Sequence, residues 1–548
     1  MPASDSTAAN PEYEQARAAF DLKAIWAAFE GDPEQGINAC IECCDCHTGQ
    51  NTTALNWIAA DGHAETRSFE DLRDASAQVA NLLAQHGVGT GDVVAGLLPR
   101  TPDLVATILG TLRAGAIYQP LFTAFGPKAI QDRIRMSAAA FVVTDTANRP
   151  KLDGVEACPP VAVVLADGAA AQDGDLDFRA ALSAQPATFD PVLRNGSDQM
   201  LMMATSGTTG PAKGVPVPLS ALAAFHQYMT NGIDLQPDDV FWNIADPGWA
   251  YGLYYAVLGP LLLGRTTTLV EAPFTVDGTY DIIERFGITN FAGAPTAFRL
   301  MITAGTEEPQ RVRGKLRVVS SAGEPLNPEV IRWFETNIAA PIQDHYGQTE
   351  TGMVVNNHHG LRHPVRPGSA GYAMPGFRVE VLDEAGQIAP PDTPGQLAVH
   401  IAESPLLFFS GYYRRETAAI ADGYYRTGDT VERDANGCVT FVGRSDDVIT
   451  SSGYRIGPFD VESALIEHAA VTEAAVVGVP DPDRTELVKA VIVLADGVEG
   501  SDELAEELQS YVKQRLSAHA YPRLIEFVPD LPKTPSGKIQ RFLLRKAH

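Results

Sequence analysis

The 548-residue sequence predicts an α/β protein of two or more domains. Apolar, β-rich runs alternate with helical patterns over most of the chain, which is typical of sheets that are largely parallel. Between residues 370 and 442 the pattern changes to short strands separated by glycine, proline and aspartate turns, which favours a compact β subdomain. Beyond residue 443 a shorter alternation resumes, and it is sufficient for a C-terminal α+β domain of about 100 residues.

The individual elements follow from local apolar patterns. The first half predicts a helix in "DLVATILGTLRAG" and strands at 92–99, 139–145, 161–167 and 199–206. The pattern continues with a helical stretch around 250–263 and strands at 239–245, 266–270, 288–293 and 316–323. In the C-terminal part we expect helices near 458–468 and 502–517, and strands at 474–479, 489–494 and 524–528. The chain shows no internal repeat.

Charge and apolar patterning exclude several classes of partner. The formal net charge is −27, which argues against binding to nucleic acid or to an acidic membrane surface, because both depend on basic patches. The N-terminus lacks a basic segment followed by an apolar one, and no apolar run approaches the roughly 18 to 20 residues of a membrane span. We therefore expect a cytoplasmic protein without a membrane span.

Four of the six cysteines lie together in "CIECCDCH", at Cys40, Cys43, Cys44 and Cys46, beside His47. Structural zinc sites usually draw their ligands from two separated pairs, and four thiolates within seven residues are difficult to arrange around one tetrahedral ion. The sequence favours reduced, partly buried thiols over a metal or redox site, and we predict no metal ligand there.

Residues 203–214, "MATSGTTGPAKG", directly follow a predicted strand and are shaped to hold an anion. Glycines let the backbone approach a ligand closely, hydroxyls donate hydrogen bonds, and Lys213 adds a positive charge. The usual phosphate-loop pattern requires lysine directly after glycine, whereas Lys213 follows Ala212. The loop therefore predicts a phosphate site of another type.

Five further stretches follow this loop in order: "SSAGEPL" at 320–326, "YGQTETG" at 346–352, "YYRTGD" at 424–429, "GRSDDVITSSGYR" at 443–455 and "PKTPSGK" at 532–538. Together the six stretches resemble the AMP-forming acyl-CoA synthetases, the family that includes peptide-synthetase adenylation domains and firefly luciferase. The resemblance covers essentially the whole chain and is least informative over the first 45 or so residues. It implies ATP, Mg²⁺, CoA and a small carboxylic acid as ligands, with a monomer or homodimer as the active unit.

The resemblance also implies the domain organisation. We expect an N-terminal domain of stacked α/β subdomains over 1–445, including a small β-barrel-like subdomain at 370–442. A small mobile α+β domain would follow over 446–548, with a hinge at Asp446. By resemblance, this domain rotates after adenylate formation to admit CoA.

The same resemblance assigns roles to individual residues. The β- and γ-phosphates would be held by Thr205, Ser206, Gly207, Thr208, Thr209 and Lys213. Glu350 would bind magnesium, which prefers carboxylate oxygens, and Thr349 would reach the α-phosphate. Asp429 would accept the ribose hydroxyls, assisted by Arg444. The adenine would be lined by Gly323, Glu324 and Pro325, with Asp344 and Tyr346 near its faces, and Gly347 would be a further residue of the cofactor site.

Three C-terminal residues complete the expected machinery. Lys538 lies in a basic stretch of an acidic protein, where its ammonium can stabilise charge on the carboxylate and the α-phosphate during adenylation. Arg455 would contact phosphate in the adenylating state. Gly453 would lie beside the pantetheine tunnel in the thioester-forming state, where a side chain would obstruct it.

The acyl substrate depends on two positions. Trp249, in "ADPGWAYG", is expected to wall the acyl pocket. Acetate-specific relatives carry "WWQTE", whose second tryptophan closes the pocket floor, whereas this chain has "YGQTE" with Gly347. An open floor favours an acid longer than acetate, such as propionate, butyrate or hexanoate. Tryptophan at this position is expected to exclude long acids while sparing acetate.

Several alternatives remain open at this point. The enzyme could be an acetate- or aromatic-acid–CoA ligase, or a stand-alone adenylation enzyme that loads a separate carrier protein. A luciferase-like oxygenase uses the same first step, although no feature favours it. An ordinary phosphate-loop kinase would release ADP, and the lysine spacing of the loop counts against it.

Overall fold

The computed structural model describes residues 11–49, 52–205, 212–302, 305, 307–451, 454–481, 484–516, 519–533 and 539–545, with the backbone alone at 11, 454 and 455. The strands of the large domain that precede the β subdomain are β1 Thr53–Ile58, β2 Ala64–Ser68, β3 Val93–Leu97, β4 Ile117–Pro120, β5 Phe141–Asp145, β6 Val161–Val164, β7 Leu176–Asp177, β8 Gln199–Thr205, β9 Lys213–Pro218, β10 Phe241–Asn243, β11 Thr267–Val270, β12 Asn290–Gly293, β13 Val318–Ala322, β14 Ile342–Gln348, β15 Gly352–Asn356 and β16 Tyr372–Ala373. The remaining strands are β17 Val379–Leu382, β18 Gly395–His400, β19 Ile420–Ala421, β20 Tyr424–Arg433, β21 Val439–Arg444, β22 Ile449–Ser451, β23 Tyr454–Ile456, β24 Val471–Asp481, β25 Thr485–Leu494 and β26 Leu524–Phe527.

Helices connect and cover these strands. The α-helices are α1 Pro11–Ala18, α2 Leu22–Trp26, α3 Ala39–Cys43, α4 Phe69–Gln85, α5 Pro102–Arg113, α6 Pro127–Ser137, α7 Phe178–Ser183, α8 Ala221–Gln227, α9 Ala250–Gly252, α10 Gly259–Leu262, α11 Val276–Phe286, α12 Pro295–Ile302, α13 Glu307–Val312, α14 Pro328–Trp333, α15 Pro458–Ile466, α16 Asp502–Arg515 and α17 Arg541–Arg545. Short 3₁₀ turns occur at Asp45–His47 and Arg149–Leu152, and π-helical turns at Tyr228–Gly232, Leu253–Leu258 and Phe334–Ile338. None of the helices in the described part of the chain has the length and apolar character that crossing a membrane requires.

Two large sheets form the N-terminal domain. A nine-stranded sheet has the order β16-β15-β14-β13-β12-β10-β11-β1-β2, and a seven-stranded sheet has the order β7-β6-β5-β3-β4-β8-β9. Neighbours from β1 through β14 in the first sheet, and from β7 through β8 in the second, pair in parallel. The strands β2, β15, β16 and β9 pair antiparallel. Central strands such as β3 and β13 are buried along their whole length, as continuous apolar runs in covered parallel sheets predict.

The β subdomain and the C-terminal domain each add a five-stranded sheet. In the subdomain the order is β17-β18-β20-β19, with β21 on β20, and all of these pairs are antiparallel. The C-terminal sheet has the order β23-β22-β25-β24, with β26 parallel to β25 and with α15 and α16 packed together beside it. The predicted fold class is therefore confirmed. Asp446, for which the resemblance implies a hinge, lies in the connection between β21 and β22.

The cysteine cluster occupies the packed interior under the first helices. Cys40, Cys43 and Cys44 are buried, and Cys46 is exposed. The thiols of Cys43 and Cys44 donate to the carbonyls of Leu258 and Phe69, and that of Cys40 contacts the Ser76 hydroxyl at 3.6 Å. Burial raises the pKa of the Cys43 thiol, and a hydrogen bond with Cys40, together with burial, raises the pKa of the Cys44 thiol, so both are protonated. These contacts are those of structural thiols, and the described residues contain no cluster with the geometry of a metal site.

Candidate active site

Several of the predicted site residues that the structure describes lie where strands of both large sheets end. β8 runs into the glycine loop, β13 ends just before Gly323, and β14 leads into the turn that carries Thr349 and Glu350. Ligands of open α/β sheets bind beyond the carboxyl ends of the parallel strands. β20 and β21 of the β subdomain bring Asp429 and Arg444 to the same region, as the contacts below show.

Glu350 and Lys213 meet at one end of this region. The Glu350 carboxylate is 7% exposed, and Oε1 accepts a hydrogen bond of 2.9 Å from the Tyr412 hydroxyl. The Lys213 ammonium lies over the Tyr412 ring, 4.7 Å from its centroid, and Lys213 pairs with Thr205 across β8 and β9. Burial raises the pKa of Glu350, whereas Tyr412 and the charge of Lys213 oppose that rise.

The chemistry of Glu350 fits a hard divalent cation. Within the described residues this buried carboxylate has no ion-pair partner within 4 Å, and the side chain that contacts it is the neutral phenol of Tyr412. Because an uncompensated buried carboxylate is costly, a bound cation would compensate it well. Thr349 beside it is only partly buried, and its backbone carbonyl accepts from the Tyr254 hydroxyl at 3.2 Å.

Asp429 lies at the opposite end of the site, where three side chains contact its carboxylate. It is 4% exposed, and its Oδ2 accepts from the Tyr346 hydroxyl and from Nε2 of Gln348 at 2.7 Å. Nε of Arg444 lies 3.5 Å from its Oδ1. Although burial disfavours the guanidinium charge, Asp429 and Asp446 raise the pKa of Arg444. An oriented carboxylate of this kind is a strong hydrogen-bond acceptor for a pair of hydroxyls.

Three of the residues expected at the adenine, Gly323, Glu324 and Pro325, directly follow β13. Gly323 has φ of +97°, and a Cβ built there would meet no atom within 4 Å, so the backbone borders open space. Glu324 accepts from Thr296 at 3.0 Å and pairs with Arg299 at 3.1 Å, with Pro325 following in irregular backbone.

Asp344 lies deeper than the other expected adenine residues. Its Oδ2 accepts from the Leu326 amide at 3.1 Å, and Oδ1 has no hydrogen-bond partner within the described chain. Burial raises the pKa of Asp344 well above its ordinary value. A buried side chain that retains an unused polar atom is suited to recognise a polar ligand edge.

Asp446, the expected hinge residue, is linked to the Asp429 site through Arg444. Arg444 lies between Asp429 and Asp446, with its Nε 3.6 Å from Oδ1 of Asp446. From the other side, Arg545 of α17 donates to the Asp446 carbonyl at 3.1 Å and pairs with Asp447 at 2.6 Å. The connection between the domains is therefore held from both sides in this conformation.

The two acyl-pocket positions differ in how they fit the prediction. The Trp249 ring packs against Phe122 and Phe125, with centroids 5.5 and 5.4 Å away, and its buried Nε1 has no partner among the described residues. At Gly347, a Cβ would lie 2.3 Å from the Gly352 carbonyl oxygen and 2.7 Å from the Met353 sulfur. The glycine is thus required by the close approach of β14 and β15, a constraint that the sequence did not reveal.

Several expected residues lie outside the part of the chain described here: Ser206, Gly207, Thr208, Thr209, Gly453 and Lys538. At Arg455 only the backbone is described, in β23. Conversely, the structure brings in Tyr412 and Gln348, which sequence reasoning missed. The signal for Gln348 is its place inside "YGQTE", whereas Tyr412 belongs to the stretch "FFSGYY", which carries no chemical pattern of its own.

Two family models and several known proteins match this chain. The model of the AMP-binding enzyme family matches residues 45–413, and that of the AMP-binding enzyme C-terminal domain matches residues 460–538. The chain is 37% identical to the acetyl-coenzyme A synthetase of Bacillus subtilis over 97% of this chain and 94% of that protein. It is 36% identical to the rat mitochondrial acyl-coenzyme A synthetase ACSM4 over 90% of this chain and 86% of that protein.

A solved structure extends the agreement to the whole architecture. The crystal structure of Brucella canis acyl-CoA synthetase is 66% identical and superimposes with a TM-score of 0.81, covering 98% of each chain. The two family models together span most of the sequence, including both sides of the hinge position. The chain therefore belongs to the AMP-binding enzyme family.

Proposed function

We propose that this chain, an AMP-forming acyl-CoA synthetase, acts on a short- to medium-chain carboxylic acid longer than acetate. In the first step a carboxylate oxygen attacks the α-phosphorus of ATP, and pyrophosphate leaves. In the second step the CoA sulfur attacks the acyl carbon, and AMP leaves with the electron pair of the broken C–O bond. The observation that carries the proposal is the placement of Glu350 with Lys213 at one end of a single site and Asp429 with Arg444 at the other.

Each end supplies what the adenylation step needs. Lys213 and the glycine loop neutralise the departing pyrophosphate, while Thr349 contacts the α-phosphate. Asp429 accepts the ribose hydroxyls and thereby fixes the nucleotide relative to the acid, since correct positioning supplies much of the rate in phosphoryl transfer. Glu350 would hold Mg²⁺, which would neutralise charge on the phosphate oxygens. Lys538 would approach from the C-terminal domain.

The proposed acid length rests on the absence of an indole at residue 347, which leaves the pocket floor open even though the close approach of β14 and β15 itself requires a glycine there. Glycine there lacks the indole that closes the pocket floor in acetate-specific members of the family, and Trp249 supplies an apolar wall. Since each buried methylene contributes about 0.8 kcal/mol, a pocket with room for two more methylenes discriminates by about tenfold or more. The relatives named above include an acetyl-CoA synthetase, so acetate is the principal rival substrate.

The decisive experiment is a substrate series on the unmodified enzyme. We expect AMP, pyrophosphate and the CoA thioester to form with straight-chain acids, with kcat/KM for butyrate or hexanoate exceeding that for acetate by about tenfold. Benzoate and C2 to C10 acids should be measured side by side. A maximum at acetate or benzoate would contradict the proposed chain length.

The same assay, run with and without CoA, distinguishes a CoA ligase from a stand-alone adenylation enzyme, which is the remaining alternative. Adenylate formation without CoA thioester, under conditions where the positive-control ligase makes thioester, would indicate an enzyme that loads a carrier protein.

We place the reaction in the cytoplasm, with a monomer or homodimer as the active unit. Subcellular fractionation tests the location, and light scattering gives the oligomeric mass.

A further inference from the structure

Tyr412 connects two groups that the proposed function uses separately. Its hydroxyl donates to Oε1 of Glu350 at 2.9 Å, and its ring faces the Lys213 ammonium at 4.7 Å from the centroid. Lys213 closes the glycine loop, whereas Glu350 follows β14 of the other large sheet. One side chain of the β subdomain therefore contacts both the phosphate-loop lysine and the expected metal carboxylate.

The local backbone fixes the direction of this side chain. Gly411 has φ of +136°, a value that favours glycine, and the Tyr412 amide donates to Oγ1 of Thr417 at 2.8 Å. The Phe409 ring packs edge-on against the Tyr412 ring, with centroids 5.1 Å apart. A turn, a hydrogen bond and an aromatic contact thus hold the ring before any ligand binds.

The hydroxyl of Tyr412 and its ring affect different neighbours in different ways. A hydroxyl that donates to a buried carboxylate stabilises the ionised form and fixes the orientation of its oxygens. A ring face beneath an ammonium attracts the cation through its quadrupole and restricts where a flexible lysine points. The hydroxyl should therefore matter to a ligand of Glu350, and the ring to a ligand of Lys213.

We propose that Tyr412 is a positioning residue for the triphosphate end of the site, with its hydroxyl orienting Glu350 toward Mg²⁺ and its ring orienting Lys213 toward the phosphates. The inference rests on the proposed function, because it takes ATP as the ligand. Tyr412 acts through its two neighbours and contacts no reacting atom.

The test measures ligand binding rather than turnover, and calorimetry gives the Kd for each of three ligands. A non-hydrolysable ATP analogue is titrated with Mg²⁺, the same analogue with EDTA, and AMP alone. Tyr412→Phe keeps the ring and removes the hydroxyl, so Kd for the Mg²⁺-analogue should rise about tenfold, while the other two Kd values stay unchanged. Tyr412→Leu should in addition weaken the analogue in EDTA by about threefold, because the contact with Lys213 is lost.

Unchanged AMP binding shows that each variant is folded, because AMP uses the Asp429 end of the site. Tyr424→Phe is the matched control, since the Tyr424 ring packs edge-on against His400 of the same subdomain. All three affinities of this variant should equal those of the unmodified enzyme. If Tyr412→Phe binds the Mg²⁺-analogue equally well or more tightly, the hydroxyl does not orient a metal ligand and the proposal is wrong. An unmodified enzyme that forms no adenylate from any acid would instead refute the proposed function, while these affinities still test Tyr412.

Discussion

The Tyr346 hydroxyl donates a hydrogen bond to Oδ2 of Asp429, which joins β14 of the nine-stranded sheet to β20 of the β subdomain. The residue expected at the adenine is thereby fixed to the residue expected at the ribose. Burial and the adjacent Asp429 charge both raise the pKa of the Tyr346 phenol, so its proton stays in place for this bond.

Asp429→Asn should selectively remove recognition of the ribose hydroxyls. The amide keeps the shape of the side chain but loses the charge, so KM for ATP should rise by about tenfold or more. With 2′,3′-dideoxy-ATP the unmodified enzyme should lose affinity to a similar extent, whereas the variant should hardly distinguish the two nucleotides. Steady-state pyrophosphate release with both nucleotides provides the measurement.

Asp422→Asn is the matched control, since Asp422 is an exposed carboxylate of the same subdomain that pairs with Arg426. It should leave both KM values unchanged. An equal preference for the natural nucleotide in Asp429→Asn and in the unmodified enzyme would place the ribose elsewhere.

Local sequence patterns predicted much of the fold because they reflect local burial. The apolar runs before the glycine loop and before Gly323 became β8 and β13, at nearly the predicted bounds. β22 and β23 were not predicted, since each has only three residues, too few for a periodicity to show. The constraint at Gly347 depends on an irregularity in pairing between Tyr346 and Gly347, which no local pattern encodes.

The sequence did not predict the residues that position Glu350 and Asp429, because those residues belong to distant segments of the chain. Motifs identified Glu350 and Asp429 individually, but their partners come from elsewhere in the chain. Tyr412 reaches Glu350 across 62 residues, and this contact exists only because the β subdomain packs on the large domain. Residue chemistry predicts which groups hold a ligand, whereas the packing of subdomains determines which groups position them.

Lys538→Ala should separate the two half-reactions. The ammonium is expected to stabilise charge only during adenylate formation, so that step should slow by about 10²-fold or more. Thioester formation from a supplied acyl adenylate and CoA should be largely retained. Rapid-quench measurement of each half-reaction tests this division.

Lys533→Ala is the control for Lys538, because Lys533 lies in the same basic stretch and its ammonium pairs with Glu473 at 2.7 Å. Both half-reactions should proceed normally in that variant. A similar loss of both half-reactions in Lys538→Ala would show that the lysine is not specific to adenylation.

His359 should make the protein less stable in mild acid. Burial lowers the pKa of His359 to about 4, and its Nε2 donates to the Val319 carbonyl at 2.9 Å. The unfolded chain takes up a proton near pH 6.5 but the folded one does not, so stability is complete above pH 6.5 and falls as the pH drops toward 4. The free energy of unfolding should therefore decrease by about 2 kcal/mol per such histidine between pH 7 and 5.

His359→Gln keeps a donor for Val319 and removes the titration. Urea unfolding at pH 7 and pH 5 should show a pH-dependent loss about 2 kcal/mol smaller than in the unmodified protein. His63→Gln, at an exposed position beside Glu65, should leave the loss unaltered. Identical losses in His359→Gln and the unmodified protein would mean that His359 does not titrate in this window.

Gly347 should tolerate no side chain, whatever the acid. A Cβ would lie 2.3 Å from the Gly352 carbonyl oxygen, and since backbone cannot rotate away as a side chain does, β15 must shift. Overpacking of this kind costs about 1–3 kcal/mol, so Gly347→Ala and Gly347→Trp should both lower kcat/KM by about tenfold for acetate and hexanoate alike. This expectation differs from the one based on the sequence, in which tryptophan spares acetate, because the structure adds a steric requirement that precedes any effect on the pocket.

Assays with acetate, butyrate and hexanoate distinguish the two expectations. They compare four proteins: the unmodified enzyme, Gly347→Ala, Gly347→Trp and the control Gly154→Ala. Gly154→Ala is the control, since a Cβ there meets no atom within 4 Å, and it should retain full activity with all three acids. If Gly347→Ala is active and Gly347→Trp loses only butyrate and hexanoate, then β15 yields to the added atoms and residue 347 is the pocket floor. If both variants lose all three acids together, glycine is retained because two strands meet there, and the acid length must be set by other walls of the pocket, with Trp249 the first to be tested.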